Sequence, residues 1–233
     1  MSIFSPKHAK EVVNAGGISP FIYLIDSNNL AMKEESLWAL QAIAHRNKKD
    51  RDYAIANGII SKIVKIVMFD EPAMNIEHRV AELIKAILVH SDISIPALKE
   101  LLPAINKLLS SNNDEVISQI LQSLYFTIKN DEISQLFLDD GIAEKLVPFL
   151  NSENSKFRAI ALPVIGNLCY SKPEKIKIFL DLGILKFLPK LLNHKDTREN
   201  ALLLKSTMKS DEELKEILND YEINEIQNTK MEL

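Results

Sequence analysis

Cysteine and tryptophan each occur once in this 233-residue chain, glycine occurs six times, and no apolar run approaches the ~20 residues that a membrane span needs. A lone Cys169 cannot close an internal disulfide, which fits a reducing compartment. It reads as a small buried apolar residue and not as a nucleophile. Aromatic residues make up only 6% of the chain, so Leu, Ile, Ala and Val must fill whatever core exists. The net charge is −4 and no long basic block occurs, which argues against nucleic acid as the main partner. His8, His45, His78, His90 and His194 have no second ligand at metal spacing, so no metal site is expected. There is no glycine-rich phosphate loop: Ile165-Gly166-Asn167 falls inside a helical pattern, where Gly166 reads as a point of close backbone packing. Glu34-Glu35, Asp139-Asp140 and Asp211-Glu212-Glu213 read as solvated helix ends and not as acid/base pairs. Without converging groups in a closed pocket the chain is expected to be no enzyme and to carry no cofactor. The opening Met-Ser-Ile-Phe-Ser-Pro lacks the charged-then-apolar order of a signal peptide, and Lys230-Met231-Glu232-Leu233 is no prenylation or retention signal. A location in cytoplasm and nucleus is expected.

What is present is a rhythm. Gly17, Gly58, Gly141 and Gly183 are each followed by isoleucine, with gaps of 41, 83 and 42 residues. The middle gap is two beats, so one junction lacks its glycine. The apolar pattern between the glycines follows the same beat: short helix, glycine turn, middle helix, polar break, long helix. Ser5 can cap the first helix with Pro6 in its first turn, and Ala9, Val12 and Val13 form its apolar stripe. Gly16-Gly17 ends it with a left-handed turn. In the third copy Leu101-Leu102-Pro103 stands where the glycine turn is missing. The copies span about 5–46, 48–90, 92–129, 131–170 and 172–209. A partial copy at 211–233 opens on Asp211 as a cap and fades into a polar tail from Asn219. At the N-terminal end no cap is evident, and Phe4, Ile18 and Phe21 are candidates to meet a further segment or a partner.

A fixed period of about 40 residues marks stacked helical repeats, and three helices per unit favours armadillo over the helix pairs of HEAT. The expected fold is all-α: one domain, a right-handed armadillo-repeat superhelical solenoid of about five and a half three-helix repeats. Such a stack is stabilised by nearest-neighbour interfaces and binds extended partners on its concave face, which the third helices line. Aligning the long helices on Trp38 gives equivalent positions at Glu82, Gln122, Pro163 and Leu202. Four residues later come Ala42, Ala86, Phe126, Asn167 and Ser206 on the same helix face.

The stretch Ser36-Leu37-Trp38-Ala39-Leu40-Gln41-Ala42-Ile43-Ala44, followed by Arg51-Asp52-Tyr53 and Asn57-Gly58, resembles the importin-α (karyopherin-α) armadillo pattern. Leu102-Pro103-Ala104-Ile105-Asn106-Lys107-Leu108-Leu109 and Ala161-Leu162-Pro163-Val164-Ile165-Gly166-Asn167-Leu168 are similar to it too, so the resemblance is collinear over nearly the whole chain. It implies an adaptor for nuclear protein import that holds nuclear-localisation-type segments of cargo in its groove, with an importin-β-type transport receptor as a further partner. In that family tryptophans sandwich the stems of lysine and arginine. Asparagines one turn later bond the peptide backbone, and nearby acids select lysine.

The residues that the resemblance points to here are Glu34, Trp38, Glu82, Gln122, Phe126 and Asn167. The chain departs from the pattern at most ladder positions: Trp38 is followed by Ala42, and Asn167 is preceded by Pro163. Arg46 stands where an acid belongs, and its charge is expected to reject an incoming lysine. Glu34 and Glu82 keep some negative character in the groove. The family's basic importin-β-binding segment has no counterpart in these residues. Trp38 and Phe126 also read as packing residues, Asn167 as a cross-link between helices, and Glu34 and Glu82 as solvated charges. Pro163 is expected to kink its helix. The alternative function is a non-transport armadillo scaffold with a rewritten groove.

Overall fold

The computed structural model describes residues 6–70, 72–90, 92–169, 172–209 and 211–231. The expected cap Ser5 and the apolar Phe4 lie outside the described residues. All regular elements among the described residues are helical, and they gather into two compact units, residues 1–129 and 130–233. Among the described residues no helix is long and apolar enough to cross a membrane.

The first unit contains α1 (Pro6–Asn14), α2 (Ile18–Leu24), α3 (Leu30–Arg46), α4 (Lys48–Ala56), α5 (Ile59–Phe69), α6 (Met74–Leu88), α7 (Ile95–Leu108) and α8 (Asp114–Thr127). The second contains α9 (Asp131–Asp139), α10 (Ile142–Leu146), α11 (Ser155–Cys169), α12 (Pro173–Asp181), α13 (Leu188–Asn193), α14 (Arg198–Lys209) and α15 (Glu212–Met231). A 3-10 segment, Val147–Asn151, extends α10, and another, Ile184–Phe187, leads into α13. In the first unit α6 packs between α3 and α8, and α5 packs on α7. The apolar positions of these helices, among them Leu37, Leu40, Val80, Leu83, Ile84, Ile87, Leu101 and Ile120, are fully buried.

The beat in the sequence is a beat in backbone chemistry. Asn47 and Asn130 lie 83 residues apart, and each side-chain oxygen accepts the N–H three residues on, starting α4 and α9. Gly58 and Gly141, again 83 apart, take φ of 84° and 76° at the next junction, a left-handed conformation that glycine adopts without steric cost. Gly183 repeats this at φ 75°. In the first repeat the left-handed residue is Gly16, not Gly17. Gly17 is required for a different reason: a Cβ there would strike Val12 Cγ1 and come within 3.0 Å of the Val12 carbonyl oxygen.

A third pair at the same spacing, Arg51 and Ser134, closes the stack. Each donates to a carbonyl at the C-terminal end of its repeat's third helix: Arg51 Nη1 to His90 O at 2.7 Å, and Ser134 Oγ to Leu168 O. The His90 ring in turn meets the Ala44 and His45 carbonyls at 3.1 and 3.2 Å. A carbonyl only accepts, so Nε2 carries the proton, and the orphan C-terminal groups of α3 are satisfied by the next repeat. Lys175, buried in the second unit, bonds Ser134 Oγ at 3.0 Å and Asp131 Oδ1 at 2.6 Å. Many polar bonds between helices join residues about one repeat apart: Asn75 to Glu34 and Lys172 to Asp131 over 41 residues, Lys190 to Asn151 over 39. That is the signature of units that touch their sequence neighbours.

Three expectations need correction. No turn forms at Leu101-Leu102-Pro103; α7 is one continuous helix with Pro103 inside it. Pro103 and Lys99, whose carbonyl loses its donor, are both exposed, so water replaces the lost bond. The polar tail from Asn219 is not a fading end: α15 runs on to Met231. Asp211 does cap it, accepting the Leu214 N–H at 3.0 Å. Of the apolar residues offered at the N-terminal end, Ile18 is buried.

Acid is expected to loosen the stack. Bonds from Lys48 and Arg51 hold the Asp92 carboxyl down at about 2. Lys172 and Lys175 lower Asp131, and Lys62 and Lys65 lower Asp26. A carboxyl whose folded pKa lies below its unfolded value stabilises the fold above pH ~4, and that contribution disappears as pH falls through the folded pKa. Thermal melts should therefore give a midpoint that falls between pH 4 and about 2, with the fall reduced at high salt because these acids are exposed.

Candidate functional site

The third helices of the first unit bury one face and leave a half-exposed row on the other. On α3 the row is Glu34, Trp38, Ala42 and His45; on α6 it is Asn75, Arg79, Glu82 and Lys85; on α8 it is Glu115, Gln119, Gln122 and Phe126. These residues recur at three- and four-residue steps, the spacing of one helix face. Side-chain bonds join the rows into one surface. Asn75 Nδ2 donates to Glu34 Oε2 at 2.8 Å, and Arg79 bridges Glu34 Oε1 at 3.4 Å and Glu82 Oε2 at 2.8 Å. His78 lies 3.6 Å from the other Glu82 oxygen. Lys85 Nζ donates to Gln119 Oε1 at 3.0 Å and Gln122 Oε1 at 2.5 Å.

Five of the six sequence-derived residues thus sit on this one face. Trp38 is half-buried, one turn from Glu34, and its neighbours in sequence Leu37, Ala39 and Leu40 are buried. Phe126 is 36% exposed and meets Tyr125 edge-on, ring centroids 5.5 Å apart. The sixth, Asn167, lies in the second unit on the half-exposed face of α11 with Pro163 and Gly166. Helix α11 continues unbroken through Pro163. Gly166 is no point of close packing: it is exposed, and a Cβ there would meet nothing within 4 Å.

The charges differ from expectation. Arg46 Nη2 pairs with the buried carboxylate of Asp50, which also accepts from Asn47 Nδ2 at 2.8 Å. Its charge is neutralised within the fold at the C-terminal end of α3, where a cation suits the helix dipole, so it is no free repeller of lysine. Glu34 and Glu82 likewise have Arg79 between them. That guanidinium stays charged, and its pKa is raised by Glu82 and Glu34 against the opposing effect of burial. Arg79 and Lys85 were missed from sequence, although each lies three residues from Glu82, the spacing of shared-face neighbours.

Little else on the described surface invites chemistry. Among the described residues no group of three His, Cys, Asp or Glu is placed to hold a metal ion. Cys169 is buried and its thiol is pushed up to about 12 by desolvation, which makes it inert as a nucleophile. An open cleft beside the face is lined by Met74, Glu77, Lys107 and Ser111.

Comparison with known proteins agrees with this architecture. A family model for the Armadillo/beta-catenin-like repeat matches residues 5–45. Importin subunit alpha-1b of Oryza sativa subsp. japonica is 24% identical over 192 residues, covering 81% of this chain and 36% of the relative. Importin subunit alpha-8 of Arabidopsis thaliana is 22% identical over 188 residues, 79% of this chain and 42% of that protein. The chain therefore spans less than half the length of these curated relatives. Among solved structures, a designed armadillo repeat protein superimposes with a TM-score of 0.75 at 21% identity, covering 87% of each chain. Another designed armadillo repeat protein, in complex with the peptide (KR)4, gives 0.76 at 22% identity, covering 87% of this chain and 86% of that one. The fold is an all-α armadillo-repeat solenoid, and the chain is similar to the importin-α subunits over most of its own length.

Proposed function

We propose that the face formed by α3, α6 and α8 holds an extended protein segment, and that the chain is an importin-α-like adaptor for cargo moving between cytoplasm and nucleus. One observation carries this: three adjacent third helices present a continuous half-exposed row that includes the chain's single tryptophan. An indole in that position can take the stem and charge of a lysine or arginine, worth roughly 0.5–2 kcal/mol per contact. The similarity to importin-α subunits and the (KR)4 complex of a designed relative support the reading. Glu34, Trp38, Glu82, Gln122 and Phe126 are the proposed contacts of this face; Asn167, on α11 of the second unit, is proposed separately as a backbone-binding amide. An importin-β-type receptor is the transport partner this reading implies, and no role is assigned to nucleic acid or to catalysis.

A specific observation favours the second reading, a scaffold outside transport with a rewritten groove. Glu34, one turn from Trp38, and Glu82 already bond Arg79, so an incoming lysine must compete with a built-in cation. Titration of a lysine-rich signal peptide, followed by Trp38 fluorescence, separates the two. The adaptor reading expects saturation on the order of tens of micromolar or tighter, and tighter binding in Arg79→Gln, which frees both carboxylates. No fluorescence change in either protein would remove the import role and leave the scaffold.

A further inference from the structure

We infer that Lys85, Gln119 and Gln122 form an anion subsite on this face, one that takes an acidic side chain of the bound peptide. The inference rests on the reading of the α3–α6–α8 face as a peptide surface. Its basis is donor–acceptor chemistry. An ammonium group can only donate, so both glutamines must turn their carbonyl oxygens toward Lys85, as the bonds of 3.0 and 2.5 Å record. With both oxygens so engaged, the hydrogen-bonding capacity that the three side chains turn outward is dominated by donors: two amide NH2 groups and the remaining ammonium proton.

Among the described residues no carboxylate pairs with Lys85, and neither glutamine nitrogen is a buried orphan. The nearest acid on its own helix, Glu82, is already bonded to Arg79 at 2.8 Å and flanked by His78. On α8, Glu115 lies one turn before Gln119 and is exposed. The triad is thus a donor cluster of net charge +1 on a half-buried surface, and a carboxylate with its two acceptor oxygens is its complement. The Tyr125–Phe126 ring pair lies next to Gln122 along α8 and gives an apolar wall for the stem of that side chain. A surface that offers Trp38 to a cation and Lys85 to an anion favours a peptide that carries an acidic residue among its basic ones.

The test uses labelled octapeptides in which lysine and either glutamate, glutamine or phosphoserine take turns at every second position, with serine between them, so that in extended form both kinds of side chain lie on one side. Anisotropy at low salt should show the lysine–glutamate peptide binding about fivefold tighter than lysine–glutamine. Lys85→Gln should erase that preference, and Gln122→Glu should reverse it. The side-chain NH2 resonances of Gln119 and Gln122 should move with the glutamate peptide and stay still with the glutamine one. Equal affinities, or unmoved amide resonances, would sink the anion subsite and leave the peptide face standing. Preference for phosphoserine alone would overturn the assignment to a carboxylate. If none of the three peptides binds, the face itself is refuted and the subsite with it.

Discussion

Replacing Leu83 by alanine should lower the stability of the first unit by about 3 kcal/mol, the mid-range cost of a buried leucine truncated in a rigid core. Leu83 is fully buried on α6, the helix that packs against both α3 and α8. In a nearest-neighbour stack a cavity on the middle helix weakens two interfaces, because the packed rows on either side close the gap only in part. Urea melts by far-UV circular dichroism would report the loss, and amide exchange should speed up in α3, α6 and α8 together. A cost below about 1 kcal/mol would mean that α6 is less central than its burial states.

Arg51→Met should be the next most damaging change, at about 2 kcal/mol. The Arg51 side chain is 0% exposed, yet its guanidinium reaches His90 O at 2.7 Å, Asp92 Oδ1 at 2.9 Å and Asp52 Oδ1 at 2.7 Å. Methionine keeps much of the stem's packing, so the loss reads out the polar bonds. The two acids are about half exposed and rehydrate when abandoned, so the Coulombic share is screened. The His90 carbonyl is in a worse position: it loses the donor that ties the end of α6 to α4 within the repeat. Asp92→Asn should cost clearly less than Arg51→Met. Equal losses in the two variants would show that the surface ion pair, not the buried carbonyl bond, holds the junction.

The fold was largely legible because its determinants are local and repeated. Gly58, Gly141 and Gly183 mark junctions through a φ that other residues adopt at a cost, and that information travels with the residue type. Asparagine caps at Asn47 and Asn130 do the same for helix starts. The errors came where a local signal has two outcomes. Proline at position 103 reads as a break, but on an exposed face water takes over the lost bond and the helix survives. Gly166 reads as close packing, but the space beside it is open, and space is not written in one residue.

The candidate face was legible in position and not in charge. The resemblance chose the register, and periodicity then put Glu34, Trp38, Glu82, Gln122 and Phe126 on one side of their helices, since 3.6 residues per turn fixes which residues share a face. It could not reveal that Arg79 would lie between Glu34 and Glu82, that Arg46 would be consumed by Asp50, or that two glutamines would turn their oxygens to Lys85.

The linear chain, then, settled most of the helices and the row of side chains left half in water, because caps, left-handed turns and apolar period act over a few residues; the third copy, with two helices in place of three, is where it did not. Which charges remain available on that row was decided only when helices forty residues apart came into contact. Electrostatic pairing depends on distances of a few ångströms between side chains, and those distances exist only after the repeats have stacked.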